Sequence, residues 1–565
     1  MTARSTLALA VTLAATQTVA NPPETVRDLV LARASDGHPA LRFEDSIWSW
    51  AELVTEARRR AALFADMREP GAFHVGVLLD NVPEFVFSLA GAALCGAVVV
   101  GINPTRRGEN LAHDITHTDC QMIVTDTEHL SLLDGLDVGV ELERILVVDQ
   151  PEFEARLPVE SRAGPTESVS PEDLYLLLFT SGSSGAPKAV RMTHGRATRA
   201  SDSLLCGRDD LPYCAMPLHH GNALNAILFP AMGAGATVAL KRRFSASDFI
   251  GDVRELGCTY ASTIGRVLTY ILATPERSDD SDNDLKLLLG PESSAADSAE
   301  FRRRFGCPVF AGYGSSENAI VLQPPPRQNP AALGVAAGGD DIAVVDSETG
   351  EECETARFSD AGELLNASAA IGELVNRDPG DRFEGYYNNP EAEAVRRRNG
   401  WYWSGDLAYR DSSGLFWFAG RTADWIRVDG ENFAAAPVER LLIRHESIRG
   451  ACVYGVPDGR NAEDQVMAAL ELIEGAEFDP QGFDEFLSGQ PDLGTKWVPR
   501  YVRIVDQLPV TGNNKVDKEP LRSQRWACDD AVWWRPDRRH GSFQPLTASD
   551  VLQLDAELLT YRGLT

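Results

Sequence analysis

The loop that follows the apolar run Tyr175–Phe179 has the composition of an anion-binding site. Its small residues supply hydroxyls and closely spaced backbone N–H groups, and they are Thr180, Ser181, Gly182, Ser183, Ser184 and Gly185. Lys188, which follows Pro187, adds a positive charge. Such a loop can surround a phosphate. A flexible Gly/Ser linker is the alternative, although a linker is not normally framed by a buried strand and a Pro-Lys pair. The Gly-Lys-Ser/Thr ending of a P-loop is missing, so a different kind of phosphate loop is predicted.

Two further polar loops follow short apolar runs. One is Gly290, Pro291 and Glu292 after Leu285–Leu289, and the other comes after Val309–Ala311 and contains Gly312, Tyr313, Gly314, Ser315, Ser316 and Glu317. Ligands of parallel sheets collect at the C-terminal ends of the strands. Flat glycine-rich backbone with Tyr313 can sandwich an adenine, and Ser316 can bond a phosphate oxygen. Taken alone, Glu317 is either an ordinary solvated carboxylate or a ligand for Mg²⁺.

Three single residues have ordinary explanations when taken alone. His220, in Pro217–Asn222, would usually be a satisfied buried imidazole. Asp406, in Trp403–Leu407, is either a turn residue or a carboxylate that accepts both ribose hydroxyls. Lys515, in Leu508–Lys515, would usually be a surface charge.

Taken together and in order, these motifs resemble the adenylate-forming enzymes, which include acyl-CoA synthetases, luciferases and nonribosomal adenylation domains. Thr180–Lys188 resembles the family's [ST]SG[ST][ST]G-x-PK-G, with Ala189 in place of the last glycine. Tyr313–Glu317 resembles YG-x-TE with Ser316 in place of threonine. The segments Trp403–Asp406, Gly420–Arg427 and Leu508–Lys515 also match family motifs. The resemblance covers residues from about 48 to 520.

The resemblance implies roles for named residues and implies ATP, Mg²⁺ and coenzyme A as cofactors or substrates. The catalytic set is Lys515, Glu317, Lys188 and His220, with His220 near the acyl carboxylate and Asn222–Leu228 along the acyl tail. Thr180 and Glu317 contact the metal, Asp406 and Arg421 the ribose, and Gly430 approaches pantetheine. Lys518, three residues after Lys515, is the obvious alternative for the catalytic lysine.

Three departures from the family pattern lie in the hinge motif and in the segment of the catalytic lysine. The hinge residue that is usually acidic or lysine is Ala423, the later lysine of that motif is Arg427, and the glycine before the catalytic lysine is Asn514. A large rotation of the small domain between two half-reactions is therefore expected by analogy alone.

The elements that must position these residues indicate an α/β fold. Ser49–Leu53 reads as a capped helix start, His74–Leu79 as a strand, and Pro83–Cys95 as a helix that leads into another strand. We expect a large multi-sheet N-terminal domain with parallel-type sheets, residues 1–420, and a small mobile α+β C-terminal domain, residues 421–565. The hairpin Trp403–Arg410 and Leu415–Ala419 precedes the boundary, and acidic Glu276–Asp282 is predicted to be a solvated loop.

Composition narrows the function further. The net charge of −30 opposes nonspecific binding to nucleic acid or to an anionic membrane. Nine dispersed cysteines without a CxxC pair favour reduced thiols in a cytoplasmic protein, and the apolar Leu7–Ala15 resembles a signal peptide only weakly. The uncharged Phe85–Ile102 is interrupted by glycines, so no transmembrane segment is predicted; peripheral membrane contact stays open.

The hypothesis for function is an ATP-dependent acid:CoA ligase that forms acyl-AMP and then acyl-CoA. Ile342–Tyr387 resembles long-chain fatty-acid and actinobacterial steroid side-chain ligases, and Ala226, Leu228 and Phe229 suit an apolar acid. The alternatives are an acyl-AMP ligase that loads a carrier protein and a non-catalytic acyl-binding or lipid-uptake homologue. The sequence leaves the acid, the thiol acceptor and the oligomeric state open.

Overall fold

The computed structural model describes most of the chain. The described residues are 23–158, 168–180, 188–202, 206–290, 295–310, 312–323, 332–337, 340–358, 364–421, 425–428, 431–457, 464–490, 493, 496–511, 516–536 and 542–561. They divide into two compact units, one formed by residues 1–319 with 380–395 and the other by residues 320–379 with 396–565.

The first unit contains two sheets with helices. Its strands in chain order are β1 (Pro39–Phe43), β2 (Ser46–Ser49), β3 (His74–Leu78), β4 (Val98–Gly101), β5 (Cys120–Thr125), β6 (Ile145–Val147), β7 (Leu174–Thr180), β8 (Lys188–Thr193), β9 (Pro212–Cys214), β10 (Val238–Leu240), β11 (Tyr260–Ser262), β12 (Leu287–Leu289) and β13 (Val309–Phe310). One sheet has the order β6-β5-β3-β4-β7-β8 and the other β13-β12-β11-β9-β10-β1-β2. All pairs are parallel except β7–β8 and β1–β2.

Helices connect these strands, as the alternating pattern predicts. They are Val26–Leu31, Trp50–Asp66, Pro83–Cys95, Gly108–His117, Thr127–Leu130, Pro151–Arg156, His194–Ser201, Gly221–Ala223, the π-helix Leu224–Leu228, Phe229–Ala234, Phe249–Leu256, Gly265–Leu272 and Ala295–Phe305, with short 3₁₀ turns at Ser131–Leu133 and Leu142–Arg144. Pro390–Arg396 follows later in the chain. Ser49 caps its helix by a reciprocal pair of bonds with Glu52.

The second unit is built from antiparallel sheets. Its strands are β14 (Leu322–Gln323), β15 (Val335–Ala336), β16 (Ile342–Val345), β17 (Gly372–Asn376), β18 (Arg397–Arg398), β19 (Trp401–Arg410), β20 (Phe416–Arg421), β21 (Trp425–Val428), β22 (Glu431–Ala434), β23 (Ile448–Pro457), β24 (Asp464–Leu472), β25 (Tyr501–Val505), β26 (Ala531–Trp534) and β27 (Gln544–Pro545). The main sheets are β16-β17-β19-β18, with β20 on β19, and β23-β24-β25-β26-β27, in which only β24–β25 is parallel. The helices are Ala367–Ala370, Ala435–Leu442, Pro480–Ser488, Lys518–Gln524 and Ala548–Tyr561.

The uncharged stretch Phe85–Ile102 is a buried helix followed by a strand, as predicted. The helix Pro83–Cys95 ends at Gly96, whose φ of 72° is the left-handed conformation that favours glycine, and β4 begins at Val98. Across the described residues, no helix combines the length and the apolar character needed to cross a membrane. The signal-like residues 7–15 lie outside the described part.

The acidic segment Glu276–Asp282 is a mostly exposed loop, as predicted, although one of its carboxylates is buried. Asp280 is buried and forms an ion pair with Arg304 of the helix Ala295–Phe305. Asp279 pairs with Arg254 at 3.1 Å, and Glu276 pairs with Arg303 at 2.7 Å. The segment therefore packs through ion pairs whose arginines come from distant parts of the sequence.

Candidate active site

Two predicted residues face each other at the ends of neighbouring strands. Thr180 ends β7, Lys188 begins β8, and they are direct antiparallel partners. Tyr175–Phe179 is fully buried, which fixes the end of β7 in the core. The phosphate-loop residues between the strands lie outside the described part: Ser181, Gly182, Ser183, Ser184 and Gly185.

Tyr386, which was not predicted from the sequence, connects Glu317 to this pair of strands. Glu317 is buried, and its Oε1 accepts a hydrogen bond of 2.8 Å from the hydroxyl of Tyr386. Lys188 Nζ lies 5.4 Å from the centroid of the Tyr386 ring, within cation–π range. The structure thus brings Thr180, Lys188 and Glu317 into one connected group.

The His219–His220 loop lies against the end of β4. A Cβ on Gly101 would come within 3.1 Å of His219 Cα, so the absent side chain leaves room for this loop. Asn81, which sequence reasoning also missed, donates to Met216 O at 2.9 Å and accepts from Leu218 N at 2.8 Å. Burial lowers the pKa of His219 well below 6.5, with a further lowering from His220, so His219 is neutral at pH 7.

The loop continues into the segment that was expected to line an acyl tail. A Cβ on Gly221 would lie 3.7 Å from Ser316 Oγ, which places the start of this segment beside the Glu317 loop. Leu224–Leu228 is a π-helix, a conformation frequent at functional sites. Leu228 and the following Phe229 are packed in the core, whereas the partly exposed positions are Asn222, Asn225 and Ala226.

The two predicted adenine loops follow adjacent parallel strands. β12 pairs with β13, and Gly290 N donates to Phe310 O at 2.9 Å. Gly312 and Gly314 have open space where a Cβ would point. Arg196 donates to the carbonyl of Ser316, and a turn follows in which Asn318 N donates to Ser315 O at 3.1 Å. Pro291 and Glu292 lie outside the described residues.

In the second unit, Asp406 and Arg421 are direct cross-strand partners on β19 and β20. Both were predicted to bind the ribose. Gly405, with φ of 73°, donates its N–H to Glu373 Oε1 at 2.9 Å. Ser404 Oγ accepts from Asp406 N at 3.0 Å and donates to Leu374 O at 2.6 Å. Sequence reasoning missed Glu373, although its carboxylate fixes the turn that carries Asp406.

The two candidate lysines have different surroundings. Lys515 lies outside the described residues, as does Gly430, whereas Val510 and Val516 on either side of the Lys515 segment form an isolated β-bridge. Lys518 donates to Glu439 Oε1 at 2.8 Å and to Val453 O at 3.1 Å. Lys518 thus has structural partners inside its own unit.

Oxygen ligands suit a Mg²⁺ ion, and the Glu317 carboxylate with the Thr180 hydroxyl offers such a donor set. A separate group, Asp80, Glu128 and His129, has the spacing of a metal site within the described part of the chain. Arg243 Nη2 lies 2.7 Å from Asp80 and 2.8 Å from Glu128, so an arginine already neutralises these two carboxylates.

Comparison with known proteins places the chain in a family. Residues 30–387 match the model for the AMP-binding enzyme, and residues 437–515 match the AMP-binding enzyme C-terminal domain. The chain is therefore a member of the AMP-binding enzyme family, which confirms the predicted resemblance.

Two actinobacterial relatives are similar over nearly their full lengths. Steroid-22-oyl-CoA synthetase of Rhodococcus jostii (strain RHA1) is 46% identical over 543 residues, which are 95% of this chain and 98% of the relative. The medium/long-chain-fatty-acid–CoA ligase FadD17 of Mycobacterium tuberculosis is 43% identical over 518 residues, or 90% and 98% of the two chains.

Solved structures confirm the predicted α/β fold class. The anthranilate CoA ligase AuaEII in complex with anthranoyl-AMP aligns with a TM-score of 0.75 at 20% identity, over 90% of this chain and 98% of that one. ATP-bound MatB from Rhodopseudomonas palustris aligns with a TM-score of 0.76 at 22% identity, over 88% and 99%.

Proposed function

We propose that this enzyme joins an apolar carboxylic acid, long-chain or bulky, to coenzyme A at the expense of ATP. The observation that carries the proposal is the sequence identity of more than 40% with two CoA ligases of apolar acids, each over at least 90% of this chain. The products of the first step are acyl-AMP and pyrophosphate, and those of the second are acyl-CoA and AMP. The partly exposed Ala226 and the absence of a basic residue within Asn222–Leu228 support an apolar tail.

In the first step the substrate carboxylate attacks the α-phosphate of ATP, and pyrophosphate leaves. The carboxylate is already ionised, so no side-chain nucleophile is needed. The barrier is the crowding of negative charge at phosphorus, and cationic groups and loop N–H donors offset it. Lys188 supplies one such charge from the start of β8, and Lys515 is proposed to supply the other.

Glu317 and Thr180 would hold Mg²⁺, which supplies positive charge beside the phosphates when it is bound. Asp406 is proposed to accept the ribose hydroxyls, with Arg421 as its cross-strand partner on the same nucleotide. The open space over Gly312 and Gly314 supports stacking of adenine beside Tyr313.

The second step places the CoA thiol where AMP leaves. Its proposed parts are a small domain that begins near residue 421, between the two matched family ranges, and Gly430 facing pantetheine. His220, near the acyl carboxylate, contributes to binding in both steps.

The test separates the half-reactions. With Lys515→Ala, formation of acyl-AMP from MgATP and a long-chain or steroid acid should fall by at least about a hundredfold, because charge stabilisation at phosphorus is lost. Thioester formation from supplied acyl-AMP and CoA should change far less. Equal loss in both steps would contradict the role of Lys515, and acyl-AMP that accumulates unchanged with CoA in the wild type would point to a carrier-protein acceptor.

Lys518→Ala is the matched control. Its ammonium is bound by Glu439 and the Val453 carbonyl, so this variant should lower thermal stability while both half-reactions persist. A selective loss of adenylation in Lys518→Ala would transfer the catalytic assignment to Lys518.

A further inference from the structure

The segment Glu384–Tyr387, here called the strap, lies along the outer edge of β8, the last strand of its sheet. Arg191 N donates to Gly385 O at 3.1 Å, and Tyr387 N donates to Ala189 O at 2.8 Å. Edge strands carry unpaired backbone groups, so the strap extends the sheet next to the residue that begins β8, Lys188.

Two further contacts fix the strap in register. The Glu384 carboxylate accepts from Thr193 N at 2.8 Å and from Thr193 Oγ1 at 2.7 Å. Gly385 has φ of 82°, and a Cβ there would lie 2.4 Å from Glu393 Oε2, so only glycine suits this position. Tyr386 is therefore held at one place relative to β8.

Tyr386 contacts both charged residues of the Glu317 group. Its hydroxyl donates to Glu317 Oε1 at 2.8 Å, and Lys188 Nζ lies 5.4 Å from the ring centroid. Tyr386 is 4% exposed, and its ring packs edge-on against Phe383 with centroids 5.4 Å apart. Its orientation is thus set by packing as well as by the strap.

We propose that Tyr386 is a positioning residue that orients the Glu317 carboxylate through its hydroxyl and the Lys188 ammonium through its ring. The inference rests on the proposed function, since it assumes that Glu317 holds the divalent cation of MgATP and that Lys188 faces phosphate. A tyrosine hydroxyl that donates to a carboxylate fixes the orientation of the carboxylate, and a cation–π contact holds an ammonium group over the face of the ring.

The hydroxyl and the ring can be removed one at a time. Tyr386→Phe keeps the ring and removes the donor, so it should weaken divalent-cation affinity while metal-free ATP binding stays near the wild-type level. Tyr386→Leu removes both, so it should also weaken ATP binding without metal. Because mutation of a partner that orients a metal ligand typically costs about ten- to a hundredfold in metal affinity, a loss of that size in cation affinity is expected.

Tyr387→Phe is the matched control on the same strap. The Tyr387 hydroxyl also donates to a carboxylate, Asp119, at 2.8 Å, but that carboxylate is not part of the Glu317 group. The control variant should bind cation and ATP as the wild type does, although it loses the same kind of hydrogen bond.

The experiment measures Mn²⁺ binding by electron paramagnetic resonance in the presence of a non-hydrolysable ATP analogue, and ATP binding by calorimetry in EDTA. Melting temperatures verify that each variant is folded. In a Glu317→Gln background, Tyr386→Phe should cause no further loss of Mn²⁺ affinity, because the two act through one contact.

Wild-type Mn²⁺ affinity in Tyr386→Phe would overturn the inference, as would an equal loss in Tyr387→Phe or full additivity with Glu317→Gln. Failure of the proposed function has a different signature. In that case the wild type itself would release no pyrophosphate from MgATP with any apolar acid, whatever the variants do.

Discussion

At the scale of single residues, Ala226 should control how long an acid the enzyme accepts. Ala226 is a small, partly exposed side chain of the π-helix, and its carbonyl accepts from the hydroxyl of Tyr260 at 2.9 Å, which fixes the backbone there. A phenyl group at this position would fill the space proposed for the tail. Ala226→Phe should therefore lower kcat/KM for a long-chain or steroid acid by at least about tenfold.

Short acids serve as the internal control for Ala226→Phe. A three- or four-carbon acid does not reach the blocked space, so its kcat/KM should change little. A uniform loss for all chain lengths, measured by pyrophosphate release, would mean that residue 226 lies outside the tail site.

His129 should make stability depend on pH. Its hydrogen bond to Asp126 at 2.7 Å raises its pKa above 6.5, against the opposing effect of burial, and Asp80, Glu128 and the nearby Arg243 complete the charges around it. Because the pKa of His129 is higher in the folded than in the unfolded state, protonation stabilises the fold. This contribution is complete when the pH is below the pKa of the unfolded state, and it is lost as the pH rises through the pKa of the folded state.

Urea unfolding at about pH 6 and about pH 8.5 measures this contribution. The wild type should lose more free energy of unfolding over that interval than His129→Asn, since an amide does not titrate. An identical pH dependence in the two proteins would contradict the role of His129.

Residues that belong to local motifs could be predicted from the sequence, and residues defined by long-range contacts could not. Thr180, Lys188 and Glu317 lie in short patterns of small and charged residues, and the structure brings them into one group. Tyr386 and Glu373 act through partners 69 and 32 positions away, and nothing in their neighbours' chemistry indicates those partners. Their roles follow from strand pairing, which a single sequence does not specify.

At the scale of elements, the helices Trp50–Asp66 and Pro83–Cys95 are joined by a buried ion pair. Arg60 donates to Glu84 at 3.0 and 2.6 Å, and burial raises the pKa of Glu84 while Arg60 lowers it. Removal of one partner leaves a buried charge without compensation. Arg60→Met should therefore lower the free energy of unfolding by about 3–5 kcal/mol.

The double variant Arg60→Met/Glu84→Met tests this explanation, because it removes both charges and keeps the volume apolar. It should be more stable than Arg60→Met alone. In Arg60→Met, Glu84 lacks its cationic partner and is harder to ionise. The loss of free energy of unfolding should therefore become smaller as pH falls, because a protonated Glu84 carries no uncompensated charge. A double variant that is less stable than the single one, by denaturant titration, would mean that packing and not charge dominates here.

Elements with strong local signals were predicted well. The capping box at Ser49, the helix Pro83–Cys95 and the β19–β20 hairpin all follow patterns within a few residues. The segment Glu276–Asp282 is the mostly exposed loop that its acidic composition predicts, but the burial of Asp280 was not predicted because its partner Arg304 lies on a helix further along the chain. Charge composition alone does not distinguish a solvated loop from one held by distant cations.

At the scale of the whole molecule, the predicted division at residue 420 can be compared with the strand pairing and with the compact units. Among the described strands, β1–β20 pair only with one another, and so do β21–β27. Compactness instead groups residues 320–379 and 396–420 with the C-terminal half. Ala434 lies in one hydrophobic cluster with Ala370 and Leu407, and Arg440 donates to Phe418 O at 3.0 Å. The boundary therefore stays a prediction that a fragment can test.

A chain ending at Gly420 should fold and bind MgATP but release no pyrophosphate. A cut at this point leaves every described strand pair intact except for Arg421, the last residue of β20. The fragment keeps Lys188, Glu317 and Asp406 and loses Arg421 and Lys515. Saturating MgATP at about 100 times its Kd should stabilise the fragment by about 2.7 kcal/mol, visible as a raised melting temperature. The control is the full-length Lys515→Ala protein, which should also be stabilised by MgATP and should release pyrophosphate at least about a hundredfold more slowly than the wild type. If the fragment lacks a cooperative transition while the control unfolds cooperatively, residues 320–420 depend on the C-terminal half for folding, and the boundary lies elsewhere.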